Sequence, residues 1–327
     1  MLWLVAPLGV LIGVVGFGAI YQALATHHDR QRFLPAGKLI EINGNNWHYQ
    51  IMGEGYPTVI LDSGAGGTHL DWQLVQPEVA KFTRVLAYDR AGYGWSDLSS
   101  ESRTAEQAVS ELRQLLREVE IKPPYVLVGM SFSGLFSRLF AYHYPEEVAG
   151  MVLVDVAHEK MYEDSPAEWV ELNKRLESLL VHVLPMMGRI GLLRLLVTFD
   201  SLPMAAGLFQ KFSPAMRPLA KALYSQTQFG KTFAQESAVV SASMNQVEQA
   251  RKVKPFPDIP LIVLSSGKPG FDITQEVREK LKELHVDLAN ESPQGVHIVA
   301  HESGHVIQLD DPALVIDAIR QVVEKVR

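Results

Sequence analysis

From Lys38 onward the chain alternates between short, continuously apolar runs and longer stretches whose apolar residues recur at helical spacing. "LIEINGNNWHYQIMG" holds two β-prone runs around an Asn-Gly pair, which predicts a β-hairpin. "TVILDSG", "RVLAYDR", "YVLVGMS" and "GMVLVD" are β-branched or aliphatic without polar alternation, as in strands covered on both faces. Helical periodicity covers 75–82, then 104–120, where Leu112, Leu115, Leu116 and Val119 share a face, and 134–144, which Pro145 ends. The alternation resumes with "PLIVLSSG" (260–267), a helix over 274–289, a strand over 296–300 and a helix over 312–326. This order predicts an α/β fold with a mostly parallel, doubly wound sheet.

Two segments fall outside that rhythm. Residues 157–255 are helical in pattern, rich in Leu and Met, and lack strands of the core type; they predict a helical cap inserted between core segments 38–156 and 256–327. Leu2 to Ala25 runs for 24 residues without a charged side chain, enough to cross about 30 Å of hydrocarbon. Residues 1–26 therefore read as a transmembrane anchor or a signal segment, with 27–37 as a polar linker. Ala23-Leu24-Ala25 resembles a cleavage site, but no Lys or Arg precedes the segment and the apolar run exceeds the usual length of roughly 7 to 15 residues, so the anchor is preferred. Arg30, Arg32 and Lys38 follow it, which leans toward a cytoplasmic domain and leaves the side of the membrane open.

A hydrophobic share of 47% with 20% charged residues suits a large buried core. The net charge of -7, without a long basic run, argues against a nucleic-acid partner and for small or lipophilic ligands. There is no cysteine, which removes disulfides, thiolate metal sites and a cysteine nucleophile together. Oligomeric state is not legible.

"VLVGMSFSG" (126–134) places two serines and two glycines at the tip of a buried strand. A serine at a sharp strand-to-helix turn is pushed into an exposed position and needs small neighbours, here Gly129, Ser133 and Gly134. Ser131 is the candidate nucleophile, at the carboxyl end of a parallel strand and at a helix N-terminus.

With "LDSGAGG" after the third strand, "YDRAGYGWSD" after the fourth, "VGMSFSG" at the turn and "ESGHVIQLDDPALVIDAI" near the end, the chain resembles the α/β-hydrolase superfamily over nearly all of 38–327. It departs from the usual G-x-S-x-G in having Ser133 where the last glycine stands. The resemblance implies that His305, in the loop after the last strand, is the base that activates Ser131. It implies a carboxylate behind His305, for which Asp155, after "GMVLVD", and Asp272, after "LIVLSSG", compete. Asp155 is favoured, because the loop sets Asp272 five residues past Gly267. Oxyanion donors would be the backbone amides of Phe132 and Ala65.

The implied activity is hydrolysis of carboxylic esters, with lipophilic acyl esters suggested by the Leu/Met-rich cap. Amidase, thioesterase or peptidase chemistry uses the same residues, and a non-catalytic ligand-binding protein on the same fold is the alternative outside enzymes. No cofactor or metal is implied. Residues 301–305, "HESGH", match the H-E-x-x-H zinc signature, but that motif needs a helix, whereas "GVHIVA" before it is strand-like and Gly304 interrupts it.

Overall fold

The computed structural model describes residues 2–163, 165–268 and 274–327, with side chains described except at 2–9, 11 and 203–206. Eight strands, β1 (Lys38–Ile42), β2 (Asn45–Met52), β3 (Thr58–Asp62), β4 (Val85–Tyr88), β5 (Tyr125–Met130), β6 (Val148–Val154), β7 (Leu261–Ser266) and β8 (Gly295–Ala300), form one sheet. Its order is β1-β2-β4-β3-β5-β6-β7-β8. The hairpin β1-β2 and the β2-β4 pair are antiparallel, and every other pairing is parallel. Asn43 (φ 52°) and Gly44 (φ 79°) make the hairpin turn. Both residues have the positive φ of the turn type whose twist matches the strands.

Strand residues alternate between two cores. Ile60, Leu86, Leu127, Met151 and Val263 pack on one face, against helices α3 (Ala105–Glu118) and α4 (Ser133–His143). Val59, Leu61, Val126, Val128, Val152 and Leu264 pack on the other, against α2 (Gln76–Val79) and α13 (Pro312–Lys325). Both faces are thus covered, which is why these strands carry no polar alternation. The remaining core helices are α11 (Gln275–Ala289) and α12 (Ile307–Asp310).

Between β6 and β7 lie six helices: α5 (Ala167–Arg189), α6 (Leu192–Thr198), α7 (Pro203–Lys211), α8 (Arg217–Tyr224), α9 (Thr227–Ala238) and α10 (Val240–Val253). They are tied to the sheet by buried polar bonds. Arg90 donates to Glu236 of α9 (3.0 Å) and to Asp62 at the end of β3 (2.6 Å), so one guanidinium joins the two layers.

Residues Leu2–Arg32 form one helix, α1, whose second half docks on α6 and on the turn after α8. Gln22 Nε2 donates to Ser225 O (2.8 Å), and Arg194 donates to Gln22 (2.9 Å), Asp29 (2.5 Å) and Thr26 (3.2 Å). A Cβ on Gly18 would stand 2.3 Å from Ile190 O, so only glycine permits this approach. Among the described residues no single helix is long and apolar enough to cross a membrane, although Ala167–Arg189 and Leu192–Thr198 meet that test jointly across a 90° bend. The membrane segment expected over 1–26 therefore gains no support from the described residues.

Candidate active site

Ser131 sits between β5 and α4 with φ 55°, a left-handed conformation that a residue with a side chain rarely adopts. Three backbone bonds hold it there: Ser131 N–H to Val154 O (3.1 Å), Gly134 N–H to Ser131 O (3.1 Å) and Ala157 N–H to Ser131 O (3.0 Å). The neighbours must be small. A Cβ on Gly134 would meet Val156 Cγ1 at 2.3 Å, and one on Gly129 would meet Ser137 Oγ at 2.6 Å. Ser133, where the usual pattern has glycine, is fully buried and useful: its Oγ accepts from Met130 N–H (2.8 Å) and lies 2.8 Å from Asp62 O, stitching β5 to β3.

His305 comes from the loop after β8 and reaches both partners. Its Nε2 is 3.0 Å from Ser131 Oγ and its Nδ1 is 2.7 Å from Asp155 Oδ2. With Asp155 ionised, Nδ1 carries the proton and donates to the carboxylate, leaving Nε2 to accept from the serine hydroxyl. Asp155 itself has φ 44° at the end of β6. Its carboxylate also accepts from Ser266 N–H (2.8 Å), Ser266 Oγ (2.9 Å) and Arg278 Nη1 (3.0 Å). Burial pushes Asp155 up, but the His305 hydrogen bond and the charges of His305 and Arg278 outweigh it and hold the carboxyl well below the usual range. Asp272, the competing acid, lies outside the described residues.

The loop after β3 touches the serine turn, since a Cβ on Gly64 would stand 2.9 Å from Ser131 Cβ. Among the described residues the backbone bonds of the two turns run from Gly67 N–H to Gly64 O (3.0 Å) and from Gly134 N–H to Ser131 O, leaving the Ala65 and Phe132 amides unclaimed. Arg90 braces this loop by donating to Ser63 O (2.5 Å) and Gly64 O (2.8 Å).

A cavity of about 700 Å³ opens over these groups. Its sheet side presents Gly64 to Gly67, Ser131, Asp155 and His305, and its other side presents Leu184, Leu193, Val197, Leu202, Leu208, Phe229 and Phe233. Asp71 also lines it, with Tyr224 Oη donating to its carboxylate (3.3 Å), and burial pushes that carboxyl up to about 7.

The zinc signature is not built. His301 and Glu302 lie in an exposed turn rather than a helix, Glu302 pairs with Lys268 (2.9 Å), and His305 belongs to the Ser131–Asp155 chain. The three described side chains that could gather round a metal are elsewhere: His48, His69 and Asp89, all buried. Asp89 already accepts from the His69 imidazole (2.9 Å) and from the His69 and Trp95 amides (2.8 and 3.1 Å), and its other oxygen lies 2.8 Å from His48 Nδ1. The cluster reads as the internal bracing of the "YDRAGYGWSD" loop.

Sequence reasoning missed Arg278, the cation against Asp155, and Glu236, the partner of Arg90. Each lies on a helix whose pattern shows only an apolar face, and its partner is more than a hundred positions away. The signal was limited to two charged residues that turn out to sit on buried helix faces.

The model of the Alpha/beta hydrolase family matches residues 59–318. YqjL of Bacillus subtilis, an uncharacterized protein, is 34% identical over 121 residues, 37% of this chain and 48% of the relative. The 2-hydroxymuconate semialdehyde hydrolase of Pseudomonas sp. (strain CF600) is 35% identical over 108 residues, 32% of this chain and 38% of the relative. Both matches span less than half of the relative. Among solved structures, the epoxide hydrolase CorEH superposes with a TM-score of 0.68 at 19% identity, covering 89% of this chain and 99% of the other. The enol-lactonase of Burkholderia xenovorans LB400 gives 0.64 at 18% identity, covering 88% and 100%. A thermophilic esterase of Thermogutta terrifontis gives 0.59 at 19%, covering 89% and 99%.

Proposed function

The chain belongs to the alpha/beta hydrolase family, and from that premise we propose that it is a serine hydrolase of carboxylic esters, acting on lipophilic acyl groups. The observation that carries this reading is the line Ser131 Oγ, His305, Asp155, with spacings of 3.0 and 2.7 Å, at the floor of an apolar cavity. Ser131 Oγ attacks the ester carbonyl carbon while His305 Nε2 takes the hydroxyl proton. The Phe132 and Ala65 amides receive the oxyanion. Collapse expels the alcohol, protonated by His305, and leaves an acyl-Ser131. Water, deprotonated by His305, then releases the carboxylic acid and restores the serine.

A serine at position 131 favours this over epoxide opening, which in this superfamily uses an aspartate there. The enol-lactonase and esterase among the structural neighbours cleave, by their names, the bond type proposed here. The cavity volume and its lining of leucine, valine and phenylalanine favour a lipophilic acyl chain. We further propose that the uncharged first part of α1 holds the protein on a membrane, tested by flotation of the full chain with vesicles and its loss on removal of residues 1–26.

The deciding experiment is labelling with a fluorophosphonate alongside an ester panel of increasing acyl length. Labelling is expected in the wild type and absent in Ser131→Ala, with turnover of esters abolished in parallel. An unlabelled wild type without ester turnover would return the protein to the non-catalytic, ligand-binding alternative. A clear preference for acetate over long chains would remove the lipophilic substrate.

A further inference from the structure

The carboxylate behind His305 has a cation of its own. Arg278, on α11, is fully buried, and its Nη1 lies 3.0 Å from Asp155 Oδ1 and 3.2 Å from Oδ2. The contact is end-on, through one nitrogen. Nε and Nη2 are buried without a hydrogen-bond partner among the described residues, and no other carboxylate there pairs with this guanidinium. A buried cation with two idle donors is costly, so this arrangement is a poor way merely to hold α11 on the sheet. Ser266, through its N–H and its Oγ, already fixes both oxygens of Asp155.

We propose that Arg278 is a positioning residue for the hydrolysis inferred above, and that it draws off part of the Asp155 charge so that ester turnover persists to more acidic pH. The inference rests on that reading of Ser131, His305 and Asp155. An imidazolium facing a bare carboxylate is strongly stabilised, and the base then stays protonated, unable to accept from serine, over a wider acid range. Facing a carboxylate already paired with a guanidinium, it is stabilised less.

The other groups around Asp155 do not supply this effect. His285, also on α11, is buried with its Nε2 2.8 Å from Val156 O and its Nδ1 2.7 Å from Ser265 Oγ, and burial pushes it down, toward the neutral form. His297 on β8 contacts the far side of Ser265 (2.7 Å) and is likewise pushed down by burial. Ser266 on β7 and Ser131 are neutral. Arg278 is thus the permanent cation that faces Asp155 among the described residues.

The test is the pH dependence of kcat/KM on a short-chain aryl ester for the full-length wild type, Arg278→Lys, Arg278→Met and Arg278→Gln, with thermal melts of each. Both neutral variants are expected to move the acidic limb up by about one pH unit, a roughly tenfold loss of rate on that limb. Labelling of Ser131 should shift in parallel, and Arg278→Lys should leave the limb near its wild-type position. A folded neutral variant whose plateau falls while its limb stays put overturns the proposal. So does failure of both neutral variants to fold beside a folded, wild-type-like Arg278→Lys, because the residue then serves folding alone. A wild type without turnover or labelling is a different failure, that of the hydrolase reading itself.

Discussion

On the sheet side of the cavity, position is fixed by directional bonds: the two oxygens of Asp155 accept from Ser266, Arg278 and His305, and Arg90 donates to Asp62, Ser63 O, Gly64 O and Glu236. On the side built by the helices between β6 and β7, the lining is mostly leucine, valine and phenylalanine, with Trp169, Asn173 and Tyr224 among them, and the lysine that reaches it, Lys211, is paired with Asp310. Hydrogen bonds have narrow optima in distance and angle, whereas apolar contact scales with area and tolerates exchange of one side chain for another of similar volume. One wall is therefore suited to reactivity and the other to selectivity, and the two should fail separately.

The strongest way to break that division is at the acid. Asp155→Asn is expected to lower kcat by about four orders of magnitude, because the amide favours the wrong imidazole tautomer, while Asp272→Asn stays within about twofold. Ester turnover and fluorophosphonate labelling rates measured side by side decide it, and the reverse ranking would hand the acid role to Asp272. A smaller effect is expected at the roof. Val197→Trp, on α6, should cost about tenfold in kcat/KM for the longest acyl chains, in line with the worth of a few methylenes in an apolar pocket, and leave acetyl esters unchanged. Equal loss on both would mean that α6 also positions the reacting centre.

The smallest effect concerns stability. The Asp71 carboxyl, pushed up to about 7 by burial, keeps a proton in the folded protein that the unfolded chain releases near pH 4. The native state then binds more protons between about pH 4 and about pH 7, so this group makes folding less favourable as pH rises through that window. Asp71→Asn removes the ionisation. Its Tm relative to wild type should be higher at pH 8 than at pH 4.5; no change in that difference would mean that Tyr224 and the Thr68 backbone satisfy the charged form.

Much of this floor could be read from the chain. The strands expected from unbroken apolar runs are β3 to β7, and the helices expected over 104–120, 134–144, 274–289 and 312–326 end within two residues of those observed. Local periodicity suffices there because both faces of each strand are covered. The serine turn was legible for a similar reason, since its small residues stand next to one another in sequence. The acid could be read only as a preference for Asp155 over Asp272, because the choice depends on where His305 arrives, 150 positions after Asp155. Arg278 and the Arg90–Glu236 pair were invisible for the same cause: a buried charge is defined by a partner in space, and nothing in its own neighbourhood records it. The absence of strands between β6 and β7 could be read from the sequence, but not the division of that segment into the six described helices or the docking of α1 on α6.

That docking sets up a short mechanical linkage. Within the seven residues of α6, Arg194 grips the first helix of the chain while Leu193 and Val197 form part of the cavity wall. Less than two turns of backbone therefore separate the point at which α1 is held from the surface that a bound ligand would touch.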